Sequence, residues 1–286
     1  MKTTTRTMLF GALAAPLLLL GAQAISAQEL PAAITIATEG AYAPWNFSNP
    51  DGSVDGFEVD LAKDLCARMS IECTVIAQDW DGLIPSLTAG KFDAIMASML
   101  VTDVRLETIN FSTVYAKDGA SFVVPANSPI VALQGPSGNL GLSDPASGPL
   151  IAKLKPLLEG KIVGVQSATA SLAFLQKYLG ETVEIREYKT TEQHDLDLAA
   201  GRVDAIFAQR TVLAATLAKP EYEGFAIGGP GFVGDVFGRG VAAGLRKEDT
   251  ALKAAFDSAI ASAIADGTVK ALSEKWFGAD VTPPAE

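Results

Sequence analysis

Between Phe57 and Met69 the apolar positions Phe57, Leu61, Leu65 and Met69 recur every fourth residue, the stripe of an amphipathic helix. On either side the pattern shortens. ITIATEG at 34–40 is a β-branched run stopped by a glycine, and CTVIAQ at 73–78 is a second such run. Asn-Pro and Asp-Gly signals at 49–57 mark turns. DWDGLIPSLTAG at 79–90 reads as a helix closed by Gly90, the residue a left-handed C-cap favours, and FDAIMAS at 92–98 as a third strand. This strand–helix–strand–helix–strand order is that of a parallel sheet with crossover helices. A second stretch repeats it: strand 161–169, helix 171–180 with a glycine stop, strand 182–189, helix 191–201 with Thr191 as candidate N-cap, and strand 203–209.

One phrase is written twice at the same joint. AGKFDAIMAS runs from Ala89 and AGRVDAIFAQ from Ala200, and seven of the ten positions are identical or exchange only Lys for Arg. Such residues are cheap in composition, but matched elements on both sides argue for two related units rather than coincidence. Residues 128–150, rich in Gly, Pro and Ser, read as a long loop between them. Two helices, 248–266 and 268–278, follow with no third copy, so the tail is expected to complete the first unit. The expected fold is α/β and two-lobed, each lobe a mostly parallel sheet flanked by helices, with a cleft between. Lobe one takes 28–118 and 225–286, lobe two 122–220, with crossings near 118–122 and 220–225. A length of 286 residues with 49% apolar content suits two medium domains.

The first 27 residues stand apart. Lys2 and Arg6 precede the apolar run MLFGALAAPLLLLGA, and small residues close it at Ala22–Ala24 or at 25–27. This is the layout of a cleaved secretory signal peptide; the run, broken by Pro16, is too short for a ~20-residue membrane span. Losing Lys2 and Arg6 takes the net charge from −11 to −13. An acidic, exported, monomeric protein, free in the periplasm and not embedded in a membrane, is the expectation, and nucleic acid is a poor partner. Cys66 and Cys73 are an even pair that export places in an oxidising compartment, which reads as a disulfide without a catalytic role.

Open α/β sheets bind ligands at the carboxyl ends of their strands. After the first strand come Glu39, Tyr42, Pro44 and Trp45, after the second Trp80, after the third Ser98, Thr102 and Arg105; in the second unit Gln166, Ser167, Ala168 and Thr169 follow the first strand, and Glu192 opens the second helix. There is no G-x-S-x-G elbow, phosphate-binding loop or dinucleotide fingerprint. The single histidine, His194, reads as a surface or cap-region residue, and no Cys or His cluster points to a metal or another cofactor. These residues can hold a zwitterion. Arg105 offers a planar fork for a carboxylate, and backbone N–H groups near Ser98–Leu100 and Thr169 add donors. Glu192 can take an ammonium, Glu39 a distal cation, and Tyr42 and Trp80 can flank the chain between. The duller alternatives are an Arg105 ion pair with Asp103 or Glu107, solvated Glu39 and Glu192, and core roles for Tyr42 and Trp80.

The segments ITIATEGAYAPWNF, GFEVDLAKDLCARM, WDGLIPSLTAGKFDAIMAS, VTDVRLETINFS, KIVGVQSATA and GLRKEDTALKAAFDSAIA resemble the periplasmic solute-binding proteins of polar amino-acid ABC transporters. The likeness covers nearly all of the chain after the leader. It looks nearest to the branch that binds lysine, arginine and ornithine, histidine, and the opines octopine and nopaline. The resemblance implies the two-lobed type II binding-protein fold, a disulfide between Cys66 and Cys73, and an inner-membrane permease partner. It also implies a ligand carboxylate on Arg105 with backbone help at Leu100 and Thr169, an α-amine on Glu192, a side-chain sandwich of Tyr42 and Trp80, a distal acid at Glu39, and contacts at Ala97 and Ser98. The family's basic-amino-acid binders have Asp where Glu39 and Glu192 stand and Ser where Ala97, Leu100 and Ala168 stand, a departure that suits an arginine-derived ligand with a substituted α-nitrogen. Ser121, near the first crossing, is a further candidate. The alternative from another class is an exported enzyme on this fold, similar to the dehydratases of cyclohexadienyl acids; a receptor's sensing domain ranks after it.

Overall fold

The computed structural model describes residues 1–3, 30–133 and 138–284; the expected leader falls almost wholly outside them. The first unit comprises β1 (Ala33–Thr38), a small hairpin sheet of β2 (Ala41–Tyr42), β3 (Asn46–Ser48) and β4 (Val54–Asp55), then α1 (Phe57–Met69), β5 (Glu72–Ala77), α2 (Leu83–Thr88), β6 (Ala94–Ile95), α3 (Asp103–Thr108) and β7 (Asn110–Phe111). The second comprises β8 (Ala120–Pro125), β9 (Asn139–Gly141), α4 (Ser147–Leu158), β10 (Ile162–Gln166), α5 (Ala170–Phe174), β11 (Glu184–Tyr188), α6 (Thr191–Ala199), β12 (Ala205–Gln209), α7 (Arg210–Leu217) and β13 (Phe225–Val233). The chain ends in β14 (Gly244–Leu245), α8 (Thr250–Ala265) and α9 (Thr268–Phe277).

The repeat is visible in the pairing. A five-stranded sheet runs β5-β1-β6-β14-β7 and a six-stranded one β11-β10-β12-β8-β13-β9. In each, the unit's leading strand lies parallel between the two that follow it, β1 between β5 and β6, β10 between β11 and β12. The doubled phrase has a mechanical meaning. Gly90 and Gly201 take φ of 72° and 67°, the left-handed turn that ends each helix. Asp93 and Asp204 then accept the backbone N–H of Thr35 and of Ile162, both at 2.9 Å, fastening the new strand to the start of its neighbour. The Ala-Ile that follows is buried in each sheet.

Three expectations need correction. The second crossing lies at 234–240 and not near 220–225, because Phe225–Val233 pairs antiparallel with β8 in the six-stranded sheet; its Gly-Gly-Pro-Gly core hides a strand with a bulge between Gly228 and Phe232. Residues 128–150 are not one loop, since Asn139–Gly141 pairs with β13 and α4 begins at Ser147. The N-cap of α6 is Thr190, one residue before the candidate. The tail does return to the first lobe: β14 pairs with β6 and β7, and α8 and α9 pack on α1.

Cys66 at the end of α1 and Cys73 in β5 form a disulfide. Its small loop constrains the unfolded chain by about 2–3 kcal/mol, so replacing both cysteines with serine is expected to lower the denaturation midpoint accordingly. Neither cysteine reaches the cleft, so ligand affinity should be unchanged; a calorimetric comparison of the two proteins checks both.

Candidate functional site

Between the sheets lies a cavity with about 30 Å³ of free space, well under what a small-molecule site needs, so the two lobes stand close together over it. Lobe one contributes Glu39, Tyr42, Trp80, Ala97, Ser98, Leu100 and Arg105; lobe two contributes Gln166, Thr169, Ala170, Ser171 and Gln209. Every one of these ends or follows a strand, or lies at the N-cap or in the first turn of a helix. Two further recesses share lining residues with it. Glu39 and Trp80 border one together with Asp79 and Asp81, while Arg105 and Thr169 border the other with Asp103 and Asp235. The acid and the guanidinium each border a different one of these recesses.

The lobes touch through polar side chains. Ser98 Oγ donates to Gln209 Oε1 at 2.8 Å. These are the last positions of the two copies of the doubled phrase, 111 residues apart, so equivalent points of the two units meet face to face in the cleft. Gln166 Nε2 donates to Glu39 Oε1 at 2.6 Å and to the Lys189 carbonyl at 3.0 Å. Trp45 Nε1 donates to Thr211 Oγ1 at 2.7 Å, and that hydroxyl donates in turn to Asp118 in the first crossing, also at 2.7 Å. Ser98 and Ala168 hold φ of 50° and 54°, left-handed values that are costly for residues with a Cβ and typical of functional loops.

Arg105 forms neither of its duller ion pairs; Asp103 faces Arg239 instead. Its Nη1 donates to the Leu100 carbonyl at 3.0 Å and Nη2 to that of Ala168 at 3.4 Å. The guanidinium carbon lies 5.1 Å from the centre of the Trp80 ring, and Trp80 Nε1 also donates to the Ala168 carbonyl, at 3.3 Å. Desolvation lowers the Arg105 pKa to about 10, which leaves it cationic at neutral pH. Glu39 is 6% exposed, and desolvation first raises its carboxyl to about 7, the Gln166 hydrogen bond opposing and the charges of Glu58, Asp81 and Asp79 adding to the rise. An acid kept partly neutral by burial is one that a ligand cation would ionise. Tyr42 is buried, with its hydroxyl near the Gln209 backbone, and Thr169 caps α5 by accepting the Leu172 N–H at 3.2 Å. Among the described residues no group of acidic, histidine or cysteine side chains is arranged to hold a metal ion.

The structure does not bring Glu192 to this cavity. Its side chain is exposed and borders a different recess with Gly40, Ser48 and Lys219. The reason is the rotation of α6: Thr191, His194, Asp195 and Leu198 form its buried face, so residue 192 points away. His194 is correspondingly not a surface residue but fully buried, 3.0 Å from Asp195. Ser121 is structural, its hydroxyl donating to the Pro230 carbonyl at 2.7 Å. Gln209, Ala170 and Ser171 are lining residues that sequence reasoning left out, and Gln166, named there among the residues after a strand, was given no role. The signal for Gln209 was available: it is the repeat partner of Ser98.

The model of the bacterial extracellular solute-binding proteins, family 3, matches residues 34–279. An octopine-binding periplasmic protein of Rhizobium meliloti is 47% identical over 271 residues, covering 87% of this chain and 92% of that one. An L-arginine-binding protein of Pseudomonas aeruginosa is 34% identical, covering 93% and 97%. Among solved structures, a periplasmic His/Glu/Gln/Arg/opine family-binding protein from Silicibacter pomeroyi, in complex with lysine, superposes with a TM-score of 0.68 at 32% identity over 87% of this chain and 99% of that one.

Proposed function

Because the chain belongs to the bacterial extracellular solute-binding proteins, family 3, we propose that it captures a cationic amino acid or an arginine-derived opine in the interlobe cavity and delivers it to an inner-membrane ABC permease. The observation that carries this reading is an interlobe cavity lined by both a fixed guanidinium, Arg105, and a buried acid, Glu39. A ligand carboxylate pairs with Arg105, its distal cation with Glu39, and its chain runs along Tyr42 and Trp80. Ala97, Ser98, Leu100 and Thr169 complete the wall on either side. Gln166 and Gln209 replace the expected Glu192 as the second lobe's polar groups; two neutral carboxamides there suit an opine, whose α-nitrogen carries a second acid arm, better than a free α-ammonium demanding a carboxylate. The octopine-binding relative supports the same choice.

Delivery implies export, with residues 1–27 removed as a leader and the remainder working in the periplasm as a carrier, not as an enzyme. Lobe one spans the residues on either side of lobe two, with the crossings acting as the hinge: the first at 117–119, slightly ahead of the expected 118–122 because β8 begins at Ala120, and the second at 234–240. The lobes close only as far as the ligand's preference for the closed form drives them. A thermal-shift screen against amino acids and opines tests the ligand class. A true ligand at 100 times its Kd adds about 2.7 kcal/mol of stability; octopine and arginine are expected to raise the midpoint, and a screen in which only acidic or neutral amino acids do so contradicts the reading.

A further inference from the structure

Beneath the cavity lies a carboxylate that does not line it. Glu58, in the first turn of α1, is 1% exposed. Its Oε1 accepts the backbone N–H of Ser98 at 2.7 Å and the hydroxyl of Tyr115, and its Oε2 accepts Asn46 Nδ2 at 2.7 Å. Asn46 cannot turn its amide over, because its own Oδ1 accepts the N–H of Gly40 at 2.8 Å. Two of the ligand-facing turns of lobe one are therefore wired to this one group: the turn after β6 directly at Ser98, and the turn after β1, where Gly40 follows Glu39, through Asn46. Ser98 is also the residue held at a left-handed φ of 50°, a conformation that persists only where its surroundings impose it.

We propose that Glu58 is a positioning residue for ligand binding, a two-sided acceptor that holds Ser98 in its left-handed conformation and, through Asn46, sets the Glu39–Gly40 turn. The role demands a carboxylate. Ser98 and Asn46 present fixed N–H donors to opposite oxygens, so a carboxamide must aim its own NH2 at one of them, leaving buried donors unpaired. Tyr115 adds a third donor from the segment that enters the first crossing, which links the same carboxylate to the hinge. This inference rests on the ligand reading above.

The test is titration calorimetry with octopine and arginine on the wild type, Glu58→Gln, Ser98→Gly and the double variant, with the ligand-free thermal midpoint of each. Glu58→Gln is expected to weaken binding roughly 10- to 100-fold. Glycine adopts positive φ without penalty, so in the Ser98→Gly background the same change should weaken binding by no more than about threefold, a coupling that a general loss of stability does not produce. An unchanged affinity for Glu58→Gln, or the same fold-loss in both backgrounds, overturns the proposal. If Glu58→Gln does not fold, Tyr115→Phe retains the carboxylate and removes one donor. A loss of a few fold that shrinks in the Ser98→Gly background supports the proposal, and an unchanged affinity overturns it. A wild type that binds neither probe contradicts the ligand reading instead, which separates the two failures.

Discussion

Arg105→Ala is expected to weaken the binding of a carboxylate-bearing ligand by at least about 100-fold, the factor that corresponds to roughly 3 kcal/mol. The guanidinium is held before any ligand arrives, by the Leu100 carbonyl at 3.0 Å and by the face of Trp80 at 5.1 Å, so little side-chain entropy is lost on pairing. These contacts use only part of its five donors, leaving others for a carboxylate. Without it, the ligand's charge is buried in the closing cleft with no cationic partner, and that penalty dominates. Arg105→Lys should recover little, because an ammonium neither grips a carboxylate in two bonds nor stacks on the indole. Calorimetric affinities within tenfold of wild type for the alanine variant would remove Arg105 from the site.

The second large effect is a pH dependence carried by Glu39. With a ligand-free pKa of about 7, the carboxyl is half neutral at neutral pH, and pairing with a guanidinium requires the ionised form. Affinity for a permanently cationic ligand should therefore reach a plateau above about pH 8 and fall toward acid, by about tenfold at pH 6. Stability of the empty protein runs the other way. A folded-state pKa raised above the model value of 4.5 means that the folded protein binds the proton more tightly, so Glu39's contribution is fully present below about 4.5 and is lost as pH rises through 7. Glu58, also raised by burial to about 7, adds to that trend. Glu39→Gln should lower affinity for a guanidinium ligand and flatten the pH profile; a variant that keeps the wild-type slope would assign the titration to another group.

What the sequence revealed follows from which signals are local. The two units were readable because each depends on short-range features: a four-residue stripe, a glycine C-cap, an Asp that ties one strand to the next. The β13 strand was unreadable for the opposite reason, since Gly228–Gly231 carries a loop composition and lies in a strand only because Phe225–Gly228 and Phe232 pair with β8 and Gly231 with Asn139 in β9. The misplacement of Glu192 and that of His194 are one error. The buried face of α6 is polar, with Thr191, His194 and Asp195 turned inward and Leu196 exposed, so hydrophobic periodicity could not fix the helix's rotation. That Arg105, Glu39, Tyr42 and Trp80 line the cavity was legible because they follow predicted strand ends, a topological rule that needs no knowledge of side-chain direction. Gln209 was passed over although the repeat pairs it with Ser98.

The proposed function requires one interlobe cavity that takes a ligand bearing both a carboxylate and a guanidinium. Titration of the leader-free protein with octopine at pH 8 tests it most directly. Saturable heat from one site per chain, with a Kd in the micromolar range or tighter, about −8 kcal/mol or more favourable, is the predicted result. No saturable heat with octopine or with arginine, from protein that still unfolds cooperatively, would contradict it.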